Sequence, residues 1–134
     1  MFQCRFLGAS VAVVFSWVLL AEGSARAAEV MDFDASTFAA AQSEGRPILL
    51  DISAWWCPVC ASQNATIQKT VGAAEYDKLI VLHINYDRQQ SIWKGLGVRK
   101  QATLIGFRGK QEIGRLSFVT DKKQIQSFLA SIVS

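Results

Sequence analysis

The sequence contains few of the residues that build metal clusters and disulfide frameworks. Its 134 residues include three cysteines, one histidine and two prolines. A closed zinc site takes four ligands, and a small domain held by disulfides usually has several widely spaced cysteines. The formal net charge is only +3, and long basic runs are also missing, since none exceeds doublets such as Arg99-Lys100. These shortages argue against a zinc module, a disulfide scaffold and a nucleic-acid-binding protein.

The N-terminal segment has the pattern of a secretory signal peptide. Arg5 precedes an apolar stretch from Phe6 to Ala21, and Ala25-Arg26-Ala27 supplies a small-residue cleavage site. The pattern predicts a signal peptide over 1–27, a single domain over 28–134, and an exported, periplasmic protein. An uncleaved membrane anchor is the alternative, although the apolar stretch is short for a spanning helix.

Apolar runs of strand length alternate with helical patterns along the rest of the chain. Ile48–Ile52 and Leu79–Ile84 suit strands that are covered on both faces, and Thr103–Phe107 and Glu112–Phe118 flank a turn as in a hairpin. Helices are predicted from Asp34, from Cys57 to about Thr70, over 73–78, over 89–96, and over a C-terminal amphipathic segment capped by Thr120 or Asp121. Residues 28–33 form either a leader or a short edge strand. The order predicts an α/β fold whose mixed central sheet of four to five strands is flanked by helices.

The predicted mature domain keeps two cysteines, Cys57 and Cys60. Cys4 precedes the apolar core, where a lipoprotein cysteine would not lie, and we exclude it from the site. A bridge that closes a four-residue loop constrains the unfolded chain very little. The pair is therefore a poor structural staple and a candidate redox centre.

The residues around this pair resemble a known family. Leu50–Cys60, with the letters LDISAWWCPVC, resembles the active-site strand, turn and helix of the thioredoxin superfamily. Gly97–Gly109 resembles the stretch that leads into that family's hairpin, and the likeness covers roughly residues 33–133. The chain looks most like compact exported members, such as the thiol-carrying periplasmic domains of DsbD-type transporters. The resemblance implies a thioredoxin fold, disulfide exchange with protein partners, and no cofactor beyond a Cys57–Cys60 disulfide.

Thiol chemistry gives independent reasons for the spacing of the two cysteines. A thiolate attacks disulfides, and the dipole and free N–H groups at a helix start stabilise the anion of Cys57. Cys60 lies one turn further along the same face and can resolve the mixed disulfide that Cys57 forms. Two alternatives stay open: an inert structural disulfide in a non-enzymatic adaptor, and carriage of Cu(I) on the two soft thiolates.

Two ionisable residues in the predicted strands are candidate helpers. Asp51 interrupts an apolar run, and burial is expected to raise the pKa of its carboxyl so that it can accept and release a proton. The alternative is a strand-end aspartate that is hydrogen-bonded to a neighbouring turn. The resemblance implies the proton-accepting role, since the family carries a buried acid here that deprotonates the resolving cysteine. His83 matches a strand position where thioredoxins often place a lysine beside that acid. It is either a partner for Asp51 or an ordinary core histidine.

The resemblance also implies a partner-binding surface around the dithiol. Trp56 matches the family tryptophan beside the cysteines, and Trp55 is either part of an apolar docking rim or a cover over the sheet edge. The predicted set comprises Trp55, Trp56, Pro58, Val59, Gln101, Ala102 and Thr103. A membrane thiol transporter of DsbD or CcdA type is the expected electron donor, which makes the protein a reductant.

One family signature is broken at Ala102. By the resemblance, a cis-proline should face the dithiol directly before the hairpin, and alanine stands there instead. A cis bond before a residue other than proline costs about 3–4 kcal/mol, so we predict a trans bond. The change affects the loop that pairs with an extended partner segment, and we expect Thr103 to place its hydroxyl near Cys57 or Cys60.

Overall fold

The computed structural model describes residues 26–134. The predicted signal peptide therefore lies, but for its last two residues, outside the described part, as does Cys4. The elements in chain order are β1 (Glu29–Asp32), α1 (Ala35–Ser43), β2 (Pro47–Ser53), α2 (Pro58–Val71), a 3-10 turn (Ala74–Tyr76), β3 (Ile80–Asn85), α3 (Gln90–Gly95), β4 (Thr103–Arg108), β5 (Gln111–Ser117) and α4 (Lys122–Val133). In the described range, no helix is long and apolar enough to cross a bilayer.

The five strands form one mixed sheet in the order β1-β3-β2-β4-β5. Strands β1, β3 and β2 run parallel, while β4 is antiparallel to β2 and forms a hairpin with β5. Residues 28–33 thus contribute an edge strand. The hairpin turns at Gly109, whose φ of 56° lies in the left-handed region that glycine adopts without steric cost. The predicted α/β class and mixed sheet are confirmed.

Capping residues mark the helix starts that the sequence indicates. The Asp34 carboxylate accepts the Thr37 backbone N–H at 2.9 Å. Asp121, one of the two predicted caps, accepts the Gln124 N–H at 2.8 Å. Each bond satisfies a backbone donor that has no partner inside the helix.

The sheet separates two apolar layers. One side of β2 packs with α1 and α3, and this layer includes Ile48, Leu50 and Ile52. The other side packs with α2 and α4. Helix α4 comes close to β4 at Gly106, where a Cβ atom would lie 2.5 Å from Ile132 Cδ1. The second layer is apolar at one end of β2 and polar at the other, where α2 begins.

Candidate active site

Cys57 and Cys60 form a disulfide at the start of α2. Cys57 is the N-cap residue in extended conformation, and its sulfur accepts the Cys60 backbone N–H at 3.1 Å. Pro58 occupies the first helical position, where its missing N–H costs no hydrogen bond. The helix therefore directs its positive end and the Cys60 N–H, one of the first-turn donors that α-helical bonding leaves free, at the sulfur of Cys57. This arrangement favours a thiolate when the pair is reduced.

The disulfide lies in a small buried cluster. Cys57 is 4 % exposed and Cys60 is 1 % exposed, and Ala54 and Ala102 complete the cluster. Half-buried Val59 and Tyr86 pack against it. Cys57 is thus the more accessible of the two cysteines, although neither is open to solvent at large.

Asp51 projects from the central strand into the polar end of the α2 layer. It is 4 % exposed, and its neighbour across the parallel β2–β3 pairing is His83. Its Oδ2 lies 3.5 Å from His83 Nδ1 and accepts the Ser53 hydroxyl at 3.4 Å. The second oxygen, Oδ1, is buried and has no hydrogen-bond partner. Of the two alternatives for His83, the structure shows the contact with Asp51, and one carboxylate oxygen has no hydrogen-bond partner.

His83 links this carboxylate to solvent. Its Nδ1 lies 3.0 Å from Ser53 Oγ, and its side chain is about one-third exposed. The hydrogen bond to Asp51 raises the pKa of the imidazole above its ordinary value, burial opposes this, and the charges of Asp51 and Asp32 add to the rise. An open cavity beneath α2 is lined by Asp51, His83 and Asn64 among others. The side chains of Asp51 and His83 thus border a cavity that is open to the surface.

The two tryptophans before the disulfide differ in their surroundings. Trp55 is 91 % exposed, whereas Trp56 is half exposed and donates its indole N–H to Asp87 at 3.0 Å. Trp56 also meets the Tyr86 ring edge to face. Tyr86 in turn stacks on buried Trp93, at 4.6 Å between ring centroids. Trp93 is a core residue, and Trp56 reaches the disulfide cluster through Tyr86.

Ala102 lies in the buried cluster in an uncommon conformation. The described residues contain no cis peptide bond, so the bond before Ala102 is trans, as predicted. Its φ is 58°, a left-handed value that is costly for a residue with a Cβ. The Thr103 hydroxyl donates to the Lys100 carbonyl at 2.9 Å and lies 3.2 Å from Ser117 Oγ. The Thr103 hydroxyl, which we expected near Cys57 or Cys60, thus lies against Lys100 and Ser117. Among the described residues it makes no hydrogen bond to either sulfur.

The site offers little to a metal ion. Between residues 26 and 134 there is no group of three or more His, Cys, Asp or Glu side chains placed to hold one. Within this range, the ligands that the site offers to a Cu(I) ion are the sulfurs of Cys57 and Cys60, once the disulfide is reduced.

Three side chains of this site were not anticipated from the sequence. Ser53 bonds both Asp51 and His83, Tyr86 packs on the disulfide cluster, and Gln63 is fully buried in α2. Ser53 could have been found, because it falls two residues after Asp51 in a strand and therefore on the same face. Tyr86 and Gln63 carry no such signal, since their contacts are set by packing.

This strand order, with a disulfide at the start of the helix that follows the central strand, defines a thioredoxin-fold protein with an exchangeable cysteine pair. The sequence profile of the thioredoxin family matches residues 29–131. The chain therefore belongs to the thioredoxin family, and it is a thiol-disulfide oxidoreductase.

Individual relatives agree with this assignment. The thioredoxin of Alicyclobacillus acidocaldarius is 28 % identical over 88 residues, which cover 66 % of this chain and 83 % of that protein. The crystal structure of Trxlp from Edwardsiella tarda is 32 % identical with a TM-score of 0.73, and the match covers 75 % of this chain and 98 % of the other. A thioredoxin from Malassezia sympodialis, at 19 % identity and a TM-score of 0.68, shares the fold. That match covers 81 % of this chain and 95 % of the other.

Proposed function

We propose that this protein is an exported oxidoreductase that reduces disulfides of partner proteins outside the cytosol, with Cys57 as the attacking thiol and Cys60 as the resolving thiol. The observation that carries this assignment is the hydrogen bond from the Cys60 N–H to the Cys57 sulfur at the start of α2. It stabilises negative charge on Cys57 specifically, because Cys60 lies inside the helix. The lower exposure of Cys60 suits a thiol that reacts only with its neighbour.

The reaction transfers two electrons from the dithiol to the partner. The Cys57 thiolate attacks one sulfur of the partner disulfide, breaks its S–S bond and releases the other partner sulfur as a thiolate, which takes a proton. Cys60 then loses its proton and attacks the Cys57 sulfur. This step forms the Cys57–Cys60 disulfide and releases the second partner thiol. The partner gains two electrons and two protons.

Asp51 is the proposed acceptor for the proton of Cys60. Its Oδ1 is buried without a partner, so it has an unoccupied lone pair. Its other oxygen is held by Ser53 and His83, which fixes the orientation of the carboxylate. His83 then passes the proton toward solvent, since its ring contacts Asp51 and borders the open cavity beneath α2.

Partner proteins are proposed to dock around the disulfide on two sides. Exposed Trp55 and Trp56, with Pro58 and Val59, form an apolar rim on the α2 side. The segment 101–103 forms the opposite side, where Ala102 touches the disulfide cluster. An extended partner segment that pairs with this backbone would bring its disulfide to Cys57.

The proposed location is the periplasm, and the proposed electron donor is a membrane thiol transporter of DsbD or CcdA type. The location is supported by the charged, apolar and small-residue order of the first 27 residues. The donor is supported by the resemblance to thiol-carrying exported domains. A reduction potential near that of thioredoxin, about −270 mV, is the expected value, and one near −120 mV would make the protein an oxidant instead.

Trapping of mixed disulfides tests the cysteine roles. In cells that express the full chain, Cys60→Ser should accumulate partner proteins bound through Cys57, because the resolving step is lost. Cys57→Ser and the double variant are the matched controls and should trap nothing. Trapping by Cys57→Ser but not by Cys60→Ser would reverse the assignment, and equal trapping by both would reject distinct roles for the two cysteines. Trapped partners confined to the cytosol would reject the exported location.

A further inference from the structure

Gln63 in α2 has a polar amide side chain that the proposed disulfide exchange does not use. It follows Cys60 by three residues in α2, and its side chain is 0 % exposed. The other buried residues that follow it in this helix include Ile67 and Val71, which pack in the apolar layer. A fully buried glutamine at the edge of that layer therefore needs a reason.

The amide group joins α2 to two other segments. Its Nε2 donates to the Ala102 carbonyl at 3.2 Å and to the Val119 carbonyl at 3.0 Å. Both acceptors are carbonyl oxygens, so the NH₂ group has to face them and the orientation of the amide is determined. The Oε1 atom is left buried without a partner. This orphaned oxygen destabilises the fold, and an apolar side chain of the same size would avoid it.

The two segments that Gln63 holds contain strained residues, and one of these, Ala102, belongs to the disulfide cluster. Ala102 and Phe118 are the described non-glycine residues with positive φ, at 58° and 56°. They are joined to each other, because the Phe118 N–H donates to the Ala102 carbonyl at 2.9 Å. Left-handed conformations persist in such residues only when surrounding contacts impose them. The second donor to the same carbonyl is Gln63.

We infer that Gln63 is a positioning residue: it fixes the left-handed Ala102 beside the disulfide, together with the Phe118–Val119 segment that bonds to Ala102, and thereby sets the surface on which protein partners dock. This inference rests on the docking of partners at 101–103 proposed above. Gln63 does not act on the sulfurs, since its donors are used on the two carbonyls. Its loss changes the recognition of a folded partner and leaves exchange with a small disulfide intact.

The test compares two disulfide substrates in one variant. Gln63→Met keeps the volume of the side chain and removes both donors. With insulin as the protein disulfide, KM should rise about tenfold while kcat stays within twofold. With hydroxyethyl disulfide, and in redox equilibrium with glutathione, the variant should stay within twofold of the parent. Gln126 is an exposed glutamine of α4, and Gln126→Met is the matched control that should change none of these values.

A second variant tests whether the effect passes through Ala102. Adding Ala102→Gly to Gln63→Met should reverse at least half of the rise in the KM for insulin, because glycine adopts the left-handed conformation without its steric cost. If Gln63→Met fails to fold, Gln63→Leu replaces it, because leucine also lacks both donors and has no polar atom to bury. Equal losses with insulin and hydroxyethyl disulfide, no loss with either, or no recovery by glycine would each overturn the inference. Failure of Cys60→Ser to trap exported partners would instead reject the proposed function. The difference between insulin and hydroxyethyl disulfide in Gln63→Met would not be affected by that failure.

Discussion

The two sides of strand β2 differ sharply in what they bury. One side presents Ile48, Leu50 and Ile52, all 0 % exposed and packed in a wholly apolar layer. The other side presents Leu49 and then two polar residues, Asp51 and Ser53, which are also buried, at 4 % and 3 % exposed. Neighbouring residues of one strand therefore lie in environments with opposite chemistry, because side chains alternate across a sheet.

The comparison shows how the protein keeps a reactive group inside a stable frame. An apolar residue in a close-packed layer contributes stability in proportion to the surface that it buries. A buried carboxylate with an unpartnered oxygen contributes little or costs stability, and the role proposed for it is to take a proton. The apolar side should therefore control stability without affecting exchange, and the polar side the reverse.

The largest expected effect is on the apolar side. Leu50→Ala should lower the free energy of unfolding by about 2–5 kcal/mol, because it leaves a cavity among fully buried neighbours. Urea unfolding of the oxidised protein measures this loss. The exchange rate of the folded fraction with insulin should stay within about twofold, a size that corresponds to under about 1 kcal/mol in the barrier. Leu116 of β5 is only half-buried, and the control variant Leu116→Ala should lower the free energy of unfolding by less. A large fall in the exchange rate for Leu50→Ala would break the division between the two sides.

The next effect is on the polar side. Asp51→Asn should slow disulfide exchange at pH 7 on the order of tenfold, because Cys60 loses its proton acceptor. The deficit should shrink above about pH 8.5, where thiols ionise without help. Stopped-flow kinetics of insulin reduction across pH measures both. The free energy of unfolding should fall less than in Leu50→Ala, since a neutral amide is cheaper to bury than a carboxylate. Unchanged kinetics would remove Asp51 from the mechanism.

The sequence was sufficient for the frame and for the centre of the site. Apolar runs and capping residues are local signals, so the strands, the helices and the start of α2 at Cys57 could be predicted. The family resemblance suggested a contact of Asp51 with His83, but an ordinary core histidine remained the alternative. The tie from Gln63 to Ala102 and Val119 could not be predicted, because it joins residues 39 and 56 positions apart. The same holds for Tyr86, whose place beside the disulfide depends on its stacking on Trp93.

The smallest expected effect concerns the pair of His83 and Asp51. The hydrogen bond to Asp51 raises the pKa of His83 in the folded protein above its ordinary value near 6.5. A raised pKa means that the protonated ring stabilises the fold fully below pH 6.5, and that this contribution is lost as pH rises through the folded pKa. The substitution His83→Gln removes this stabilising contribution of the protonated ring. The urea midpoint of the parent should therefore exceed that of the variant most at pH 5.5–6.

The two midpoints should converge as pH rises beyond the raised pKa, because the parent then carries a neutral ring. The contribution is small, since the side chain of His83 is about one-third exposed and water screens the pair. The other charged group that acts on the ring is Asp32 on β1, and Asp32→Asn should reduce the difference without abolishing it. A difference that is constant across pH would mean that His83 is an ordinary packing residue. In that case Asp51 would have to exchange its proton with the cavity beneath α2 directly, and the polar side of β2 would need only the carboxylate.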